Sequence, residues 1–175
     1  MTASDLDRDP RLDNARRARR IRLLCVDVDG VLTDAGMYYG PDGEVLKKFN
    51  TRDGMGLARV REAGVAVALI SGEDSAITHA RAAKLKIDDV FSGVANKRAA
   101  IDELCVRHGV ALDEVAFIGD DLNDLPALEC VGLACAVADA AEPVQAIAHY
   151  RTAKRGGDGA VREVCELLIA ARTGQ

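Results

Sequence analysis

At 175 residues the chain is long enough for one domain with an ordinary core, and its 49% hydrophobic and 29% charged residues are typical of a folded protein rather than a disordered one. A net charge of −5, three Phe, three Tyr and no Trp supply neither a basic surface nor stacking side chains. These counts exclude the usual signature of a nucleic-acid-binding protein, and no nucleic-acid partner is expected.

The N-terminal residues 1–20 are densely charged and carry no apolar signal region. They are predicted to form a solvated arm or a short helix that leads into a single domain over residues 21–175. The sequence also contains no apolar stretch long enough to span a bilayer, so we expect a cytoplasmic protein without a membrane partner.

Apolar runs of strand length alternate with helix-like segments along the rest of the chain. The runs cover residues 21–28, 65–70, 115–118 and 133–137, and the helix-like segments cover 55–63, 75–85, 98–108 and 122–130. Continuous apolar strands separated by helices predict an α/β fold with a doubly wound parallel sheet that is covered on both faces.

Residues 31–50 interrupt this alternation. Two strand-like arms flank Gly40-Pro41-Asp42-Gly43, a turn sequence that predicts a β-hairpin inserted after the first strand. The stretches 30–70 and 72–96 are too short to hold a further folded unit, so no cap domain is expected.

Polar clusters follow the predicted strands at their carboxyl ends, where ligands bind in doubly wound sheets. Several carboxylates gathered at one sheet edge would repel one another, and hard oxygen ligands in an open site suit Mg²⁺. Lys97, at the start of a predicted helix, could add a fixed positive charge. The clusters are Asp27 with Asp29, then Ser71-Gly72-Glu73, then Asp120, Asp121 and Asp124.

These residues carry a resemblance to a known family. "DVDGVLTD", "LISGE", Lys97 in "VANKRAA" and "IGDDLND" resemble the four motifs of the haloacid dehalogenase (HAD) superfamily. The hairpin, "FNTRDGMG" and "KRGGDGAVREV" make the chain more similar to one branch, the phosphatases of 3-deoxy-D-manno-octulosonate (KDO) 8-phosphate and their relatives that act on nonulosonate 9-phosphates. The resemblance implies a HAD-type Rossmannoid fold.

The resemblance also implies a role for each motif residue. Asp27 is the expected nucleophile and Asp29 the general acid and base. Phosphate is expected to bind at Ser71, Gly72 and Lys97, and Mg²⁺ at Asp27, Asp120 and the backbone carbonyl of Asp29. The family further implies a homotetramer in which the hairpins of residues 31–50 pack together and "KRGGDGAVRE" reaches towards an adjacent active site.

General chemistry supports these roles. A carboxylate that attacks a phosphoryl group approaches an anion, so a metal ion and a lysine are needed to offset the charge. The second carboxylate can protonate the leaving oxygen and then deprotonate water, which is typically worth about 10²–10⁴-fold in rate. Two aspartates two residues apart therefore serve two successive steps.

The substrate prediction depends on Glu73 and Lys84. The resemblance places Arg at the position of Glu73 in most KDO 8-phosphate phosphatases, whereas the 9-phosphate relatives carry Glu there and Lys at the position of Lys84. These two residues lie about 16 Å apart on one regular helix, so they could share a site only across a subunit interface. Thr51 and Arg52 are predicted to be further substrate contacts.

We therefore predict a phosphatase of a phosphorylated 2-keto-3-deoxy sugar acid, with preference for a nonulosonate 9-phosphate of the KDN or N-acylneuraminate type. The alternative within this class is a KDO 8-phosphate phosphatase of lipopolysaccharide biosynthesis.

Three other classes remain. A receiver domain takes its phosphate on a middle-strand Asp, where this chain has Ser71. A phosphomutase of this superfamily generally needs a cap domain. A non-catalytic oligomerising or regulatory domain, related to sugar-nucleotide synthetases, would not need every catalytic position to be filled.

Overall fold

The computed structural model describes residues 10–173, which form one parallel sheet with helices on both faces and a separate hairpin. The sheet strands are β1 (Leu23–Val26), β4 (Ala66–Ile70), β5 (Asp89–Phe91), β6 (Val115–Gly119), β7 (Leu133–Ala136) and β8 (Tyr150–Arg151), and the hairpin strands are β2 (Tyr38–Gly40) and β3 (Gly43–Leu46). The helices are α1 (Pro10–Arg20), α2 (Thr51–Glu62), α3 (Ala76–Leu85), α4 (Lys97–His108), α5 (Leu125–Leu128), α6 (Glu142–Ile147) and α7 (Ala160–Thr173).

The strand order is β5-β4-β1-β6-β7-β8, and every neighbouring pair is parallel. All residues of the central strands β1 and β6 are buried, as expected for a sheet that is covered on both faces. Val26, the last residue of β1, is in register with Leu69 and Ile118. The carboxyl ends of β4, β1 and β6 therefore lie side by side, and the predicted fold class is confirmed.

Side-chain caps set the first residues of α2 and α4. The Asn50 side chain accepts a hydrogen bond from the Arg52 amide (2.8 Å) at the start of α2, and Asn96 accepts one from the Ala99 amide (3.2 Å) at the start of α4. Asp53 is fully buried, and its Oδ1 accepts from the Arg162 amide (2.8 Å) in the first turn of α7. The "FNTRDGMG" segment thus joins α2 to α7.

Two edge strands and one helix differ from the sequence predictions. The strands β5 and β8 are only three and two residues long, and neither has the apolar run by which the longer strands were found. The helix expected over 122–130 is a 3₁₀ turn (Leu122–Asp124) followed by the single-turn α5, because Asp121 caps the first turn and Pro126 sits at the start of the second.

The described part of the N-terminal arm has the second of its two predicted forms, a short helix that leads into the fold. Residues 10–20 form α1, which packs against α7 and buries Ala18 completely. The Arg17 guanidinium also donates to the Gly132 carbonyl (2.9 Å), which fixes α1 to the loop before β7. Residues 1–9 lie outside the described residues. Over residues 10–173, no helix is long and apolar enough to cross a membrane.

The predicted hairpin is confirmed. Gly43 has a φ of +118°, a conformation that favours glycine, at the turn between β2 and β3. The hairpin exposes apolar side chains to solvent, namely Met37, Tyr38, Tyr39, Val45 and Leu46. This hairpin and α2 separate β1 from β4, and α3, β5, α4 and a 3₁₀ turn (Leu112–Glu114) separate β4 from β6, so no cap domain is present over these segments.

Candidate active site

Lys97 occupies the centre of the site. Its ammonium donates to Asp27 Oδ1 at 2.7 Å and to Asp124 Oδ1 at 2.6 Å, and all three side chains are buried. Burial disfavours the charged ammonium, but the two carboxylates outweigh that effect and raise the pKa of Lys97. Lys97 is therefore a fixed cation directly beside Asp27.

Asp124 holds Lys97 and also organises the loop after β6. Its second oxygen, Oδ2, accepts hydrogen bonds from the amides of Asp120 (2.9 Å) and Asp121 (3.3 Å). Gly119 makes room for it, since an added Cβ would lie 2.5 Å from that oxygen. From the sequence, Asp124 was predicted to belong to the acidic group but was given no role. Its position in "IGDDLND" was the signal available for one.

Asp27, Asp120 and Asp124 form an acidic cluster in which one oxygen of each lies within 4.8 Å of the others. Burial and the nearby Asp124 raise the pKa of Asp27 well above its usual value, and the same two causes raise the pKa of Asp120 to about 7. Asp120 Oδ1 is buried and has no hydrogen-bond partner among the described residues. Buried carboxylates that lack a full set of partners fit a hard divalent cation such as Mg²⁺.

Glycines allow the loop after β1 to approach this cluster. Gly30 has a φ of +89°, and a Cβ there would lie 2.0 Å from Asp120 Oδ2. On the other side, a Cβ on Gly156 would lie 1.7 Å from the Gly30 carbonyl oxygen. The glycine-rich segment "KRGGDGAVRE", which contains Gly156, therefore packs against the Asp29-Gly30 loop of its own chain. Its expected reach to an adjacent subunit stays a prediction.

Asp29, two residues after Asp27, forms an ion pair that the sequence analysis missed. Lys47, just after β3, places its ammonium 2.5 Å from Asp29 Oδ1 and 2.9 Å from Glu44 Oε1. Burial alone would lower the pKa of Lys47, but its hydrogen bonds to Asp29 and Glu44 raise it. The only signal in the sequence was a lysine pair in a hairpin, and alternation along an extended strand did not show which lysine points inwards.

Ser71 is buried at the end of β4. Its hydroxyl forms hydrogen bonds of 3.1 Å with the backbone of Glu73 and lies 3.5 Å from Asp29 Oδ2. The turn Ser71-Gly72-Glu73 is therefore fixed next to the second oxygen of Asp29.

A pocket of about 260 Å³ opens above these groups. It brings together six predicted residues and four that were not predicted as site residues. The predicted ones are Asp27, Asp29, Gly72, Glu73, Lys97 and Asp120, and the others are Ala35, Met37, Asp121 and Asn123.

Three predicted substrate contacts lie elsewhere in the chain. Thr51 and Lys84 line a groove of about 280 Å³ between α2 and α3, and Lys84 also lines a neighbouring groove of about 490 Å³. Arg52 is exposed in the first turn of α2. Neither groove includes a residue of the acidic cluster, so these three residues would reach a catalytic pocket only in an assembly, which stays a prediction.

Comparison with known proteins identifies the family of this chain. Residues 75–164 match the model of the haloacid dehalogenase-like hydrolases. The chain is 44% identical over 160 residues to the KDO 8-phosphate phosphatase KdsC of Escherichia coli K12, covering 91% of this chain and 85% of that protein. The chain belongs to the haloacid dehalogenase-like hydrolase family. A Salmonella typhi KdsC is 45% identical over 156 residues, covering 89% of this chain and 83% of that protein.

Solved structures of similar proteins share the fold of this hydrolase. The KDO 8-phosphate phosphatase of Yersinia pestis superposes with a TM-score of 0.90 at 43% identity, covering 92% of this chain and 87% of that chain. The one from Moraxella catarrhalis, described in complex with magnesium, phosphate and KDO, has a TM-score of 0.89 at 38% identity and covers 93% of each chain.

The unpartnered Asp120 oxygen generates a test of cation binding by the hydrolase. We expect saturating Mg²⁺ to raise the melting temperature by several degrees, because a ligand at about 100 times its Kd adds about 2.7 kcal/mol of stability. Asp120→Asn should abolish this shift, since it removes the charge that faces the cation.

Asp121→Asn is the matched control, because Asp121 is exposed and caps the 3₁₀ turn, a role that Asn performs equally well. Differential scanning calorimetry with and without Mg²⁺ makes the comparison. A full Mg²⁺ shift in Asp120→Asn would contradict the assignment.

Proposed function

We propose that the protein is a Mg²⁺-dependent KDO 8-phosphate phosphatase. The observation that carries the proposal is one pocket that holds Asp27 against Lys97 and the acidic cluster, with Asp29 two residues further on. The similar curated proteins support KDO 8-phosphate as substrate, which was the alternative in the sequence analysis. They give no support to the nonulosonate 9-phosphate that the sequence reading preferred.

In the first step Asp27 attacks the phosphorus atom, and the bond between phosphorus and the sugar oxygen breaks. Asp29 donates a proton to the departing sugar oxygen, and an aspartyl phosphate forms on Asp27. Lys97 and Ser71 stand beside the incoming phosphate and favour its negative charge and orientation.

In the second step Asp29, now a carboxylate, takes a proton from water. The water oxygen attacks phosphorus, the bond to Asp27 breaks, and inorganic phosphate leaves. Splitting the hydrolysis through a covalent intermediate replaces one difficult displacement by two easier ones. Both carboxylates return to their starting states.

Mg²⁺ would be held by Asp27, Asp120 and the backbone carbonyl of Asp29. When bound, it supplies positive charge that offsets the phosphate and the carboxylates. The buried, unpartnered Asp120 Oδ1 supports this placement.

The two aspartates are separable by mutation. We expect Asp27→Asn to remove turnover of KDO 8-phosphate, a loss of at least about 10⁴-fold, because no nucleophile remains. Asp29→Asn should lose about 10²–10⁴-fold, because the leaving oxygen is not protonated. Phosphate release measures both, circular dichroism checks that each variant folds, and appreciable release by Asp27→Asn would contradict the mechanism.

One observation keeps a second substrate in view. Glu73 lines the catalytic pocket, and the family resemblance associates a glutamate at this position with nonulosonate 9-phosphates. A carboxylate there would accept hydrogen bonds from sugar hydroxyls and would repel a nearby substrate carboxylate.

Purified enzyme can choose between the two substrates. If KDO 8-phosphate is the substrate, we expect its kcat/KM to exceed that of a nonulosonate 9-phosphate by at least about 10-fold, a difference of about 1.4 kcal/mol in transition-state binding. Glu73→Ala should then change the ratio little. The reverse preference, lost in Glu73→Ala, would favour the 9-phosphate.

We further propose a homotetramer in which the hairpins pack together. The exposed apolar side chains of the hairpin support this, since Tyr39 is 64% and Leu46 60% exposed in the single chain. A tetramer would also provide a neighbour for the α2–α3 grooves that contain Lys84.

A charged substitution tests the assembly. We expect Leu46→Glu to shift the mass in solution from tetramer towards monomer, because it places a carboxylate in the hairpin interface. Val106→Glu, at an 85% exposed position on α4, should leave the mass unchanged. Analytical ultracentrifugation distinguishes these outcomes, and a fully active monomer of the unmodified chain would contradict the proposal.

A further inference from the structure

A chain of partly buried polar contacts connects Asp29 to the hairpin and to α3. Asp29 Oδ1 lies 2.5 Å from the Lys47 ammonium, which lies 2.9 Å from Glu44 Oε1. Glu44 Oε2 accepts a hydrogen bond of 2.7 Å from the hydroxyl of Ser75, the residue before α3. The chain therefore runs from the Asp29 loop, through the hairpin, to the segment that follows Ser71 and Glu73.

Lys47 differs sharply from its neighbour Lys48. The side chain of Lys47 is 1% exposed, whereas that of Lys48 is 63% exposed and pairs with Asp34 at 2.7 Å. Consecutive residues of an extended chain point to opposite sides, so one lysine enters the protein and the other faces solvent. An exposed pair contributes little, but a buried ammonium persists only with close acceptors.

The two oxygens of Asp29 are held differently. Oδ1 carries the short contact with Lys47, whereas the contact of Oδ2 within residues 10–173 is the 3.5 Å one with the Ser71 hydroxyl. Asp29 lines the catalytic pocket and Lys47 does not. Asp29 is therefore the pocket residue through which Lys47 directly contacts the site.

We propose that Lys47 is a positioning residue that fixes Asp29 by Oδ1, so that Oδ2 carries the proton to the leaving sugar oxygen and then accepts one from water. Glu44 and Ser75 hold Lys47 in turn. The inference rests on the proposed function, since it requires Asp29 to be the acid and base. It makes the hairpin part of the catalytic machinery as well as the predicted assembly surface.

Lys47→Met tests the inference, with Lys48→Met as the matched control. For KDO 8-phosphate we expect Lys47→Met to lower kcat about 10²-fold, the low end of the effect of general acid-base catalysis, with KM changed less than about 3-fold. Lys48→Met should stay within about 2-fold of the unmodified enzyme in both constants, because its ion pair is exposed.

A substrate with a good leaving group separates positioning from general damage. p-Nitrophenolate needs no proton to depart from p-nitrophenyl phosphate. The rate of its initial burst reports formation of the aspartyl phosphate, and this rate should fall less than about 5-fold in Lys47→Met. The steady-state rate after the burst should fall, because hydrolysis of the intermediate still needs Asp29 as base. An equal fold-loss in the burst rate and in kcat for KDO 8-phosphate would overturn the inference.

A double variant controls for folding. Lys47→Met leaves Asp29 and Glu44 as neighbouring carboxylates without their cation, which destabilises the fold. Glu44→Gln in the same chain removes one of those charges and keeps an acceptor for Ser75. We expect the double variant to recover melting temperature but not kcat for KDO 8-phosphate; recovery of both would show that Lys47 only neutralises charge.

Asp29→Asn distinguishes failure of this inference from failure of the proposed function. If Asp29→Asn is inactive while Lys47→Met turns over KDO 8-phosphate normally, Lys47 has no positioning role and the acid-base assignment stands. If Asp29→Asn retains full turnover, the acid-base role fails, and the inference about Lys47 fails with it.

Discussion

The buried ammonium of Lys97 is the contact on which the site depends. It lies between Asp27 and Asp124, and Asp124 in turn accepts hydrogen bonds from the amides of Asp120 and Asp121. One cation therefore joins the end of β1, the start of α4 and the loop after β6. The cluster holds two buried carboxyl groups and the half-buried one of Asp120 beside this ammonium, so its carboxyl groups outnumber its cation. That imbalance makes the site suitable for a divalent cation and, with the cation, for a phosphate.

The hairpin supports the site from the opposite side. Lys47, just after β3, contacts both Asp29 and Glu44, whereas hairpin residues such as Tyr39 and Leu46 expose apolar side chains. In an enzyme without a cap domain, this arrangement offers a physical route by which the proposed assembly would affect the orientation of Asp29, the proposed acid and base.

Close backbone approaches complete the site. The loop after β1 lies between Asp120 on one side and the glycine-rich segment before α7 on the other, and a Cβ on Gly30 or Gly156 would clash with its neighbour. Asp53 ties the same segment to α2 through the first turn of α7. The position of the Gly30 backbone thus depends on a residue more than 100 positions away in the chain.

The sequence by itself determined the sheet, the hairpin and the residues that follow β1, β4 and β6, because long apolar runs and turn residues are local signals. It also determined that Asp27, Asp29 and Asp120 belong together, since parallel strands end at one edge, and the family resemblance added Lys97. The ends of the sheet were not predictable, because β5 and β8 are too short to show a periodic pattern. Only the tertiary structure decided that Lys47 rather than Lys48 reaches Asp29 and that Lys84 lies outside the catalytic pocket. The direction of a side chain and the distance between helices depend on packing, and neighbouring residues in the sequence do not determine that packing.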